Sequence, residues 1–285
     1  MKLSYFPGCT VRAQEEEFEN ESLLLLEKLG FTVEELPEWE CCGAVYPLTV
    51  DDYFSLLSTA RAVKNTADEG SDGLLTLCSA CYHVLKRAHN RIVQDSEARQ
   101  RVEKYLADEY DDPTYPVDIK VLHLVEIFRD YVGLEEVTAH TTHSLEGDKI
   151  ATYYGCLFLR PEEDMQLTDP EAPAMVERFI EALGGEPVNF AYRTDCCGAY
   201  HIYSDENVST KISYRIINSA KQAGATEIIT ACPLCKHNLE YCQENPPADM
   251  EQIGEPIPIN YISTPFIRAF GGKDYLKQRR AQKIS

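Results

Sequence analysis

No stretch of about 18 apolar residues occurs anywhere in this 285-residue sequence, so no membrane-spanning helix is predicted. The opening residues, Met1-Lys2-Leu3-Ser4-Tyr5-Phe6-Pro7-Gly8-Cys9, lack the sustained apolar segment of a signal peptide, and the expected location is the cytoplasm. Positive charge is scarce as well. Only 27 Lys and Arg stand against 47 Asp and Glu, a formal charge of −20, so a phosphate backbone or an anionic membrane surface would repel the chain. Nucleic acid is therefore not an expected partner. There is also no GxGxxG after a strand, no P-loop and no CxxCxxCxxxCP ferredoxin run, which argues against a flavin or nucleotide site in this chain. With 44% hydrophobic and 26% charged residues, collagen-like, disordered and small disulfide-scaffold readings fall away. The length suits one large domain or two of about 140 residues.

Cysteine is plentiful. Eleven cysteines in a reducing compartment point to metal or redox chemistry rather than to a disulfide framework. Ten of them form two groups of five: Cys9, Cys41, Cys42, Cys78 and Cys81, then Cys156, Cys196, Cys197, Cys232 and Cys235. Each group runs as a single Cys after glycine, an adjacent pair followed by Gly-Ala, and a CxxC. The neighbours repeat too. Leu74-Leu75-Thr76-Leu77-Cys78-Ser79-Ala80-Cys81-Tyr82-His83 matches Ile228-Ile229-Thr230-Ala231-Cys232-Pro233-Leu234-Cys235-Lys236-His237 at Thr, both Cys and His. The period, close to 155 residues, predicts duplicated domains, 1–140 and 147–285, rather than a solenoid. The alternative, that the thiols are only small buried hydrophobes, does not account for one order appearing twice.

Hydrophobic patterning gives each half the same elements. The first predicts strand 2–6, helix 19–29, strand 31–36, helix 52–67, strand 73–77 and a helix after the CxxC, with 121–131 closing the half. The second predicts strand 149–154, helix 174–183, strand 187–190, helix 206–223, strand 227–230, a helix after its CxxC, and 257–262. The polar segment 134–148 reads as a linker. The expected fold is α/β: two pseudo-symmetric domains, each a small parallel sheet flanked by helices, with its five cysteines at the carboxyl ends of the strands.

Thiolates select zinc or iron-sulfur clusters. A structural zinc takes four ligands. Each half offers five, two of them adjacent, and four irons with bridging sulfides use that number better. Zinc in both halves is the alternative, and would make the chain a metal-stabilised scaffold.

The two copies of Cys…Cys-Cys-Gly…CxxC have 31 and 35 residues between successive groups in the first half, and 39 and 34 in the second. They resemble the cysteine-rich CCG domain, and a chain made of two such domains is similar to the family of heterodisulfide reductase B subunits. That resemblance implies two non-cubane 4Fe-4S clusters, one on each quintet, flanking the heterodisulfide of coenzymes M and B as in methanogenesis. It also implies, as partners within the heterodisulfide reductase complex, the ferredoxin-like C subunit and the flavin-containing A subunit, with a hydrogenase or formate dehydrogenase module beyond them. Relatives in the wider group serve lactate, glycolate and succinate oxidising systems, so a relay of electrons for a flavin enzyme is the alternative function. Here the first motif reads Cys41-Cys42-Gly43-Ala44 where methanogen chains carry proline after the pair, which leaves the natural disulfide open.

Other residues are candidates beside the thiols. Arg12, Arg160, Arg193 and Lys236 lie close in sequence to cysteines and would receive the anionic groups of a thiol coenzyme, or else pair with the many carboxylates. His201 is a candidate proton donor to a leaving thiolate, with a surface or packing role as the plainer reading. His83 and His237, two after each CxxC, suggest one shared role, a hydrogen bond to cluster sulfur or backbone. His140 and His143 read as solvated loop, Cys242 as core packing, and Trp39 as a buried cover. The basic tail 273–283 is either a docking contact or a solvated end.

Overall fold

The computed structural model describes residues 1–44, 53–247, 249–250 and 254–272. The chain divides into two compact units, Met1–Ile127 with Glu163–Met165, and Phe128–Glu162 with Gln166–Ser285.

In the first unit β1 (Lys2–Phe6) leads to α1 (Cys9–Gln14) and α2 (Glu16–Lys28), then β2 (Thr32–Glu35), α3 (Leu57–Asp68), β3 (Gly73–Thr76), α4 (Ser79–Gln94), α5 (Ser96–Leu106), β4 (Lys120–His123) and α6 (Leu124–Ile127). All four strands are parallel in the order β2-β1-β3-β4, with Leu3 between Val33 and Gly73. The central strands read as unbroken apolar runs because helices cover both of their faces: Leu3, Phe6, Leu74 and Leu75 are fully buried. At the edge, β2 carries Glu34 and Glu35, charges that discourage pairing with another chain.

The second unit repeats the plan with α7 (Gly133–His140), β5 (Lys149–Tyr153), α9 (Met175–Ala182), β6 (Glu186–Pro187), α10 (Glu206–Gln222), β7 (Glu227–Thr230), α11 (Pro233–Glu244), β8 (Ile259–Tyr261) and α12 (Ser263–Ala269), while α8 (Glu162–Met165), between β5 and α9 in the chain, falls from Glu163 on to the first unit. Its strands are parallel in the order β6-β5-β7-β8. Two helix starts are fixed by side-chain caps, Asp95 accepting from the amides of Glu97 and Ala98 ahead of α5, and Asp205 from the amide of Val208 ahead of α10.

Three expectations are corrected. The segment read as linker contains α7, which buries Val137 and packs on α9; its single buried apolar residue was too weak a signal against a polar background. The strand expected over 187–190 is only Glu186–Pro187, since proline has no N–H to extend the ladder, although Val188 N–H still donates to Ile150 O at 2.8 Å. The helix expected from 52 begins as a 3₁₀ turn at Phe54–Leu56 before α3, while Asp52 and the basic tail 273–283 lie outside the described residues.

Candidate metal centres

Parallel strands all end at the same edge of a sheet, and in the order 2-1-3-4 the crevice outside the carboxyl ends of the two central strands is where such folds bind their ligands. Cys9 follows β1, Cys78 follows β3, and Cys41 and Cys42 lie on the loop after β2. The second unit does the same with Cys156 after β5, Cys232 after β7 and the pair after β6. Cys78 and Cys232 are the N-caps of α4 and α11, so each CxxC meets the positive end of a helix, which favours thiolate sulfur.

The thiols of a unit form one continuous row. In the first, Cys9 meets Cys41, Cys41 meets Cys42, Cys42 Sγ lies 3.3 Å from Cys81 Sγ, and Cys81 meets Cys78. In the second the order is the same: Cys156, Cys196, Cys197, Cys235, Cys232. Both rows run from solvent inward. Cys9, Cys41 and Cys196 are exposed and Cys156 half-buried, whereas the other six are buried. Sequence reasoning therefore identified two sets that the fold does bring together, each within its own unit.

Glycine makes the close packing possible. A Cβ on Gly8 would lie 2.8 Å from Cys81 Sγ, and one on Gly155 3.3 Å from Cys235 Sγ; both residues also have positive φ, 71° and 67°. Electrostatics differ along a row. Hydrogen bonds from Cys156 and Cys197, with the amides of Gly198 and Ala199, push the Cys196 thiol down to about 2, while Cys156, the donor in its bond to Cys196, holds its proton and is raised, first by that bond and then by burial. Gly198 N–H donates to Cys196 Sγ at 3.2 Å. In the first unit Cys42 is lowered by its bond to Cys81, and Cys81 is raised by the same bond.

The four candidate cations are all engaged by carboxylates. Arg12 pairs with Glu35 and, at 3.6 Å, with Glu19. Arg160 pairs with Glu171 at 2.7 Å and also donates to Thr194 O at 3.0 Å, tying the loop after Cys156 to the loop before Cys196. Arg193 pairs with Glu177 at 3.1 Å, and its carbonyl accepts from the amides of Tyr154 and Gly155. Lys236 pairs with Glu240 at 2.5 Å and stands over the Tyr261 ring. His201 is exposed at the end of a 3₁₀ turn, Ala199–His201.

His83 and His237 do not share an environment, contrary to expectation. His83 is buried with Nε2 3.3 Å from Arg87, whereas His237 is exposed and stacks on Tyr241, because the two helices meet different neighbours beyond the CxxC. Nor is Trp39 a buried cover. It is half-buried, edge-on to Phe6, and lines a groove of about 830 Å³ with Glu38, Arg61, Glu109 and Tyr110. His140 ends α7 rather than sitting in a loop, its Nδ1 3.0 Å from Glu136 O, and His143 Nδ1 lies 2.9 Å from Thr142 Oγ1. Cys242 is core: fully buried, its thiol donates to Thr210 O at 3.2 Å and burial pushes it up to about 12.

Two supports were missed. His123 is fully buried; its Nδ1 accepts from Val125 N–H at 3.2 Å, so Nε2 carries the proton and donates to Leu77 O, 2.8 Å away and one residue before Cys78. Burial holds that imidazole neutral, its pKa lowered to about 3. Asn238, 2% exposed, donates from Nδ2 to Cys197 O at 3.2 Å and to Ser209 Oγ at 3.1 Å, and lies 3.8 Å from Cys197 Sγ. The available signal was a mismatch: the repeat places Val84 where the second copy has Asn238.

Among the described residues no three His, Cys, Asp or Glu side chains are disposed as ligands of a single metal ion. Five soft sulfurs in a row, cleared by glycine and backed by a helix N-terminus, have the chemistry of ligands to an iron-sulfur group, which each row would hold through its own cysteines. The fold and the sulfur sets together define an iron-sulfur subunit of an oxidoreductase. The chain belongs to the CCG cysteine-rich domain family, which matches residues 3–86 and again 150–240. It is 30% identical to the 8-methylmenaquinol:fumarate reductase membrane anchor subunit of Wolinella succinogenes, over 92% of this chain and 89% of that one. It is 28% identical to the B subunit of the ferredoxin:CoB-CoM heterodisulfide reductase of Methanosarcina mazei, over 82% and 78%. A crystal structure of a hypothetical protein from Helicobacter pylori shares the fold at a TM-score of 0.75 and 14% identity, across 95% of this chain, which spans 49% of that one. No helix among the described residues is long and apolar enough to cross a membrane.

Proposed function

We propose that the chain is the disulfide-reducing iron-sulfur subunit of a heterodisulfide reductase type complex. In this reading Cys9, Cys41, Cys42, Cys78 and Cys81 hold one non-cubane 4Fe-4S group, and Cys156, Cys196, Cys197, Cys232 and Cys235 hold the other. The observation that carries it is the matched polarity of the two rows, each complete, buried at its CxxC and open at its first cysteine and the first of its pair. Each bound group supplies one electron at a time, and two together complete RS–SR′ + 2 e⁻ + 2 H⁺ → RSH + R′SH. The buried ends, Cys42, Cys78 and Cys81 with their counterparts, exclude water from most of the sulfur. The exposed ends leave room for a small disulfide. His201, exposed and in the segment after Cys197, is the side chain offered as proton donor to one departing thiolate. Arg12, Arg160, Arg193 and Lys236 would orient an anionic substrate tail only by sharing their present carboxylate partners, so their contribution to binding is small. A ferredoxin-like protein and a flavoprotein of the same complex would deliver the electrons, since this sequence has no nucleotide motif of its own.

A second reading is favoured by the 30% identity over 92% of the chain to a component of a fumarate reductase. In it the same groups relay electrons within a quinol or dicarboxylate oxidoreductase and no disulfide is cleaved. One experiment separates them. Anaerobically purified chain with about eight irons, fully reduced and mixed with CoM-S-S-CoB, should release two thiols per disulfide consumed. Full reduction without thiol release leaves the relay reading. Zinc in place of iron defeats both.

A further inference from the structure

The two sulfur rows are alike in order, and one of the differences around them is a buried amide beside sulfur. Three residues after the last cysteine of each CxxC, on the inner face of the helix, the first copy has Val84 and the second has Asn238. Both are buried, at 1% and 2% exposure. A valine has nothing to donate, whereas the Asn238 amide carries two hydrogens. It lies 3.1 Å from Ser209 Oγ, 3.2 Å from Cys197 O and 3.8 Å from Cys197 Sγ. One hydrogen is taken by the serine, and the other points to the cysteine, where oxygen and sulfur share it. Ser213 Oγ donates to the same Cys197 carbonyl at 3.1 Å, so the backbone of this loop is already fixed without the amide. The contribution peculiar to Asn238 is thus a positive hydrogen near sulfur, in a site from which water is excluded.

Reduction adds negative charge to an iron-sulfur group and concentrates part of it on the ligating sulfurs. A donor aimed at one of those sulfurs stabilises the reduced form more than the oxidised form and raises the potential. We infer that Asn238 is a positioning residue that makes the second sulfur set the higher-potential member of the pair, so that the first electron to enter the chain settles there and the valine-backed set is reduced after it. The inference rests on the reading in which both quintets hold iron-sulfur groups, and it adds to that reading an order of filling set by one side chain.

The test is an anaerobic redox titration of the full chain followed by electron paramagnetic resonance, with iron content measured on each sample. In Asn238→Val, and in the near-isosteric Asn238→Asp, one of the two signals should move to lower potential while the other stays. Up to about a tenfold change in the reduced-to-oxidised ratio at fixed potential is expected, tenfold being about 59 mV for a one-electron couple. Ser213→Ala, which removes a bond to the same carbonyl but leaves the amide, should titrate as wild type. The inference is overturned if both Asn238 variants keep all their iron and titrate unshifted, or if Ser213→Ala shifts the signal equally. It is equally overturned if both Asn238 variants lose the iron of the second unit, because the amide would then serve assembly of the loop rather than the potential. Wild-type chain that holds fewer than two groups fails the underlying reading instead, and iron analysis tells the two failures apart.

Discussion

The demand on individual residues is sharpest at the glycines that precede the first cysteine of each set. Gly8 is constrained twice, by its left-handed φ of 71° and by the 2.8 Å that would separate an added Cβ from Cys81 Sγ. Gly30 has a similar φ, 80°, with nothing within 4 Å of an added Cβ. Both Gly8→Ala and Gly30→Ala should cost about 1–2 kcal/mol of stability from the left-handed backbone, read as a lower midpoint in urea. Only Gly8→Ala should also lose iron, and only from the first unit. Equal iron in the two variants would show that the sulfurs tolerate the intrusion. The cysteines and glycines were readable because their roles follow from residue type and order alone. The partners of Arg12, Arg160, Arg193 and Lys236 were not. A long cation in a chain with 47 acids has many carboxylates to choose from, and only the folded positions of Glu35, Glu171, Glu177 and Glu240 decide. Asn238 escaped because comparing two copies for what they share passes over the places where they differ.

Among the elements, α4 has a second task besides delivering Cys81. It buries His89, 8% exposed, with Nδ1 2.7 Å from Tyr115 Oη. Burial, and secondarily the charge of Lys86, lower its pKa to about 4. The folded chain therefore stays unprotonated at His89 where the unfolded chain, titrating near 6.5, takes up a proton. With more protons on the unfolded side, stability falls as pH drops from 6.5 to about 4, by about 1.4 kcal/mol per pH unit from this residue. Buried His123, lowered to about 3, adds a similar slope, so urea unfolding between pH 6.5 and 5 should show the two together, and His89→Asn should reduce the slope by about 1.4 kcal/mol per pH unit and leave the share of His123. An unchanged slope in the variant would assign the acid sensitivity to other groups. Element boundaries were legible wherever an apolar run or a cap marked them, as for β1, β7 and α10. They were missed where tertiary packing decided, as when α7 gained its place from α9, and where a local breaker was passed over, as when Pro187 cut β6 short.

At the scale of the whole molecule, duplication is the organising fact: one plan of parallel strands, used twice, gathers five sulfurs at the strand ends of each unit. Every contact in a row is made within that unit, so the two rows should fail separately. Cys42→Ser and Cys197→Ser each replace a buried sulfur that touches two others in its own row. Each variant should retain about half the wild-type iron and one of the two paramagnetic signals, a different one in each case, and the double variant should retain neither. Cys242→Ala is the control, since that thiol is buried, lies outside the repeated set of five and bonds to Thr210 O. It should keep all the iron and lose about 1 kcal/mol of stability. Loss of both signals from either single serine variant would mean that the sets assemble as one unit, and the sequence repeat would then record ancestry rather than independent sites.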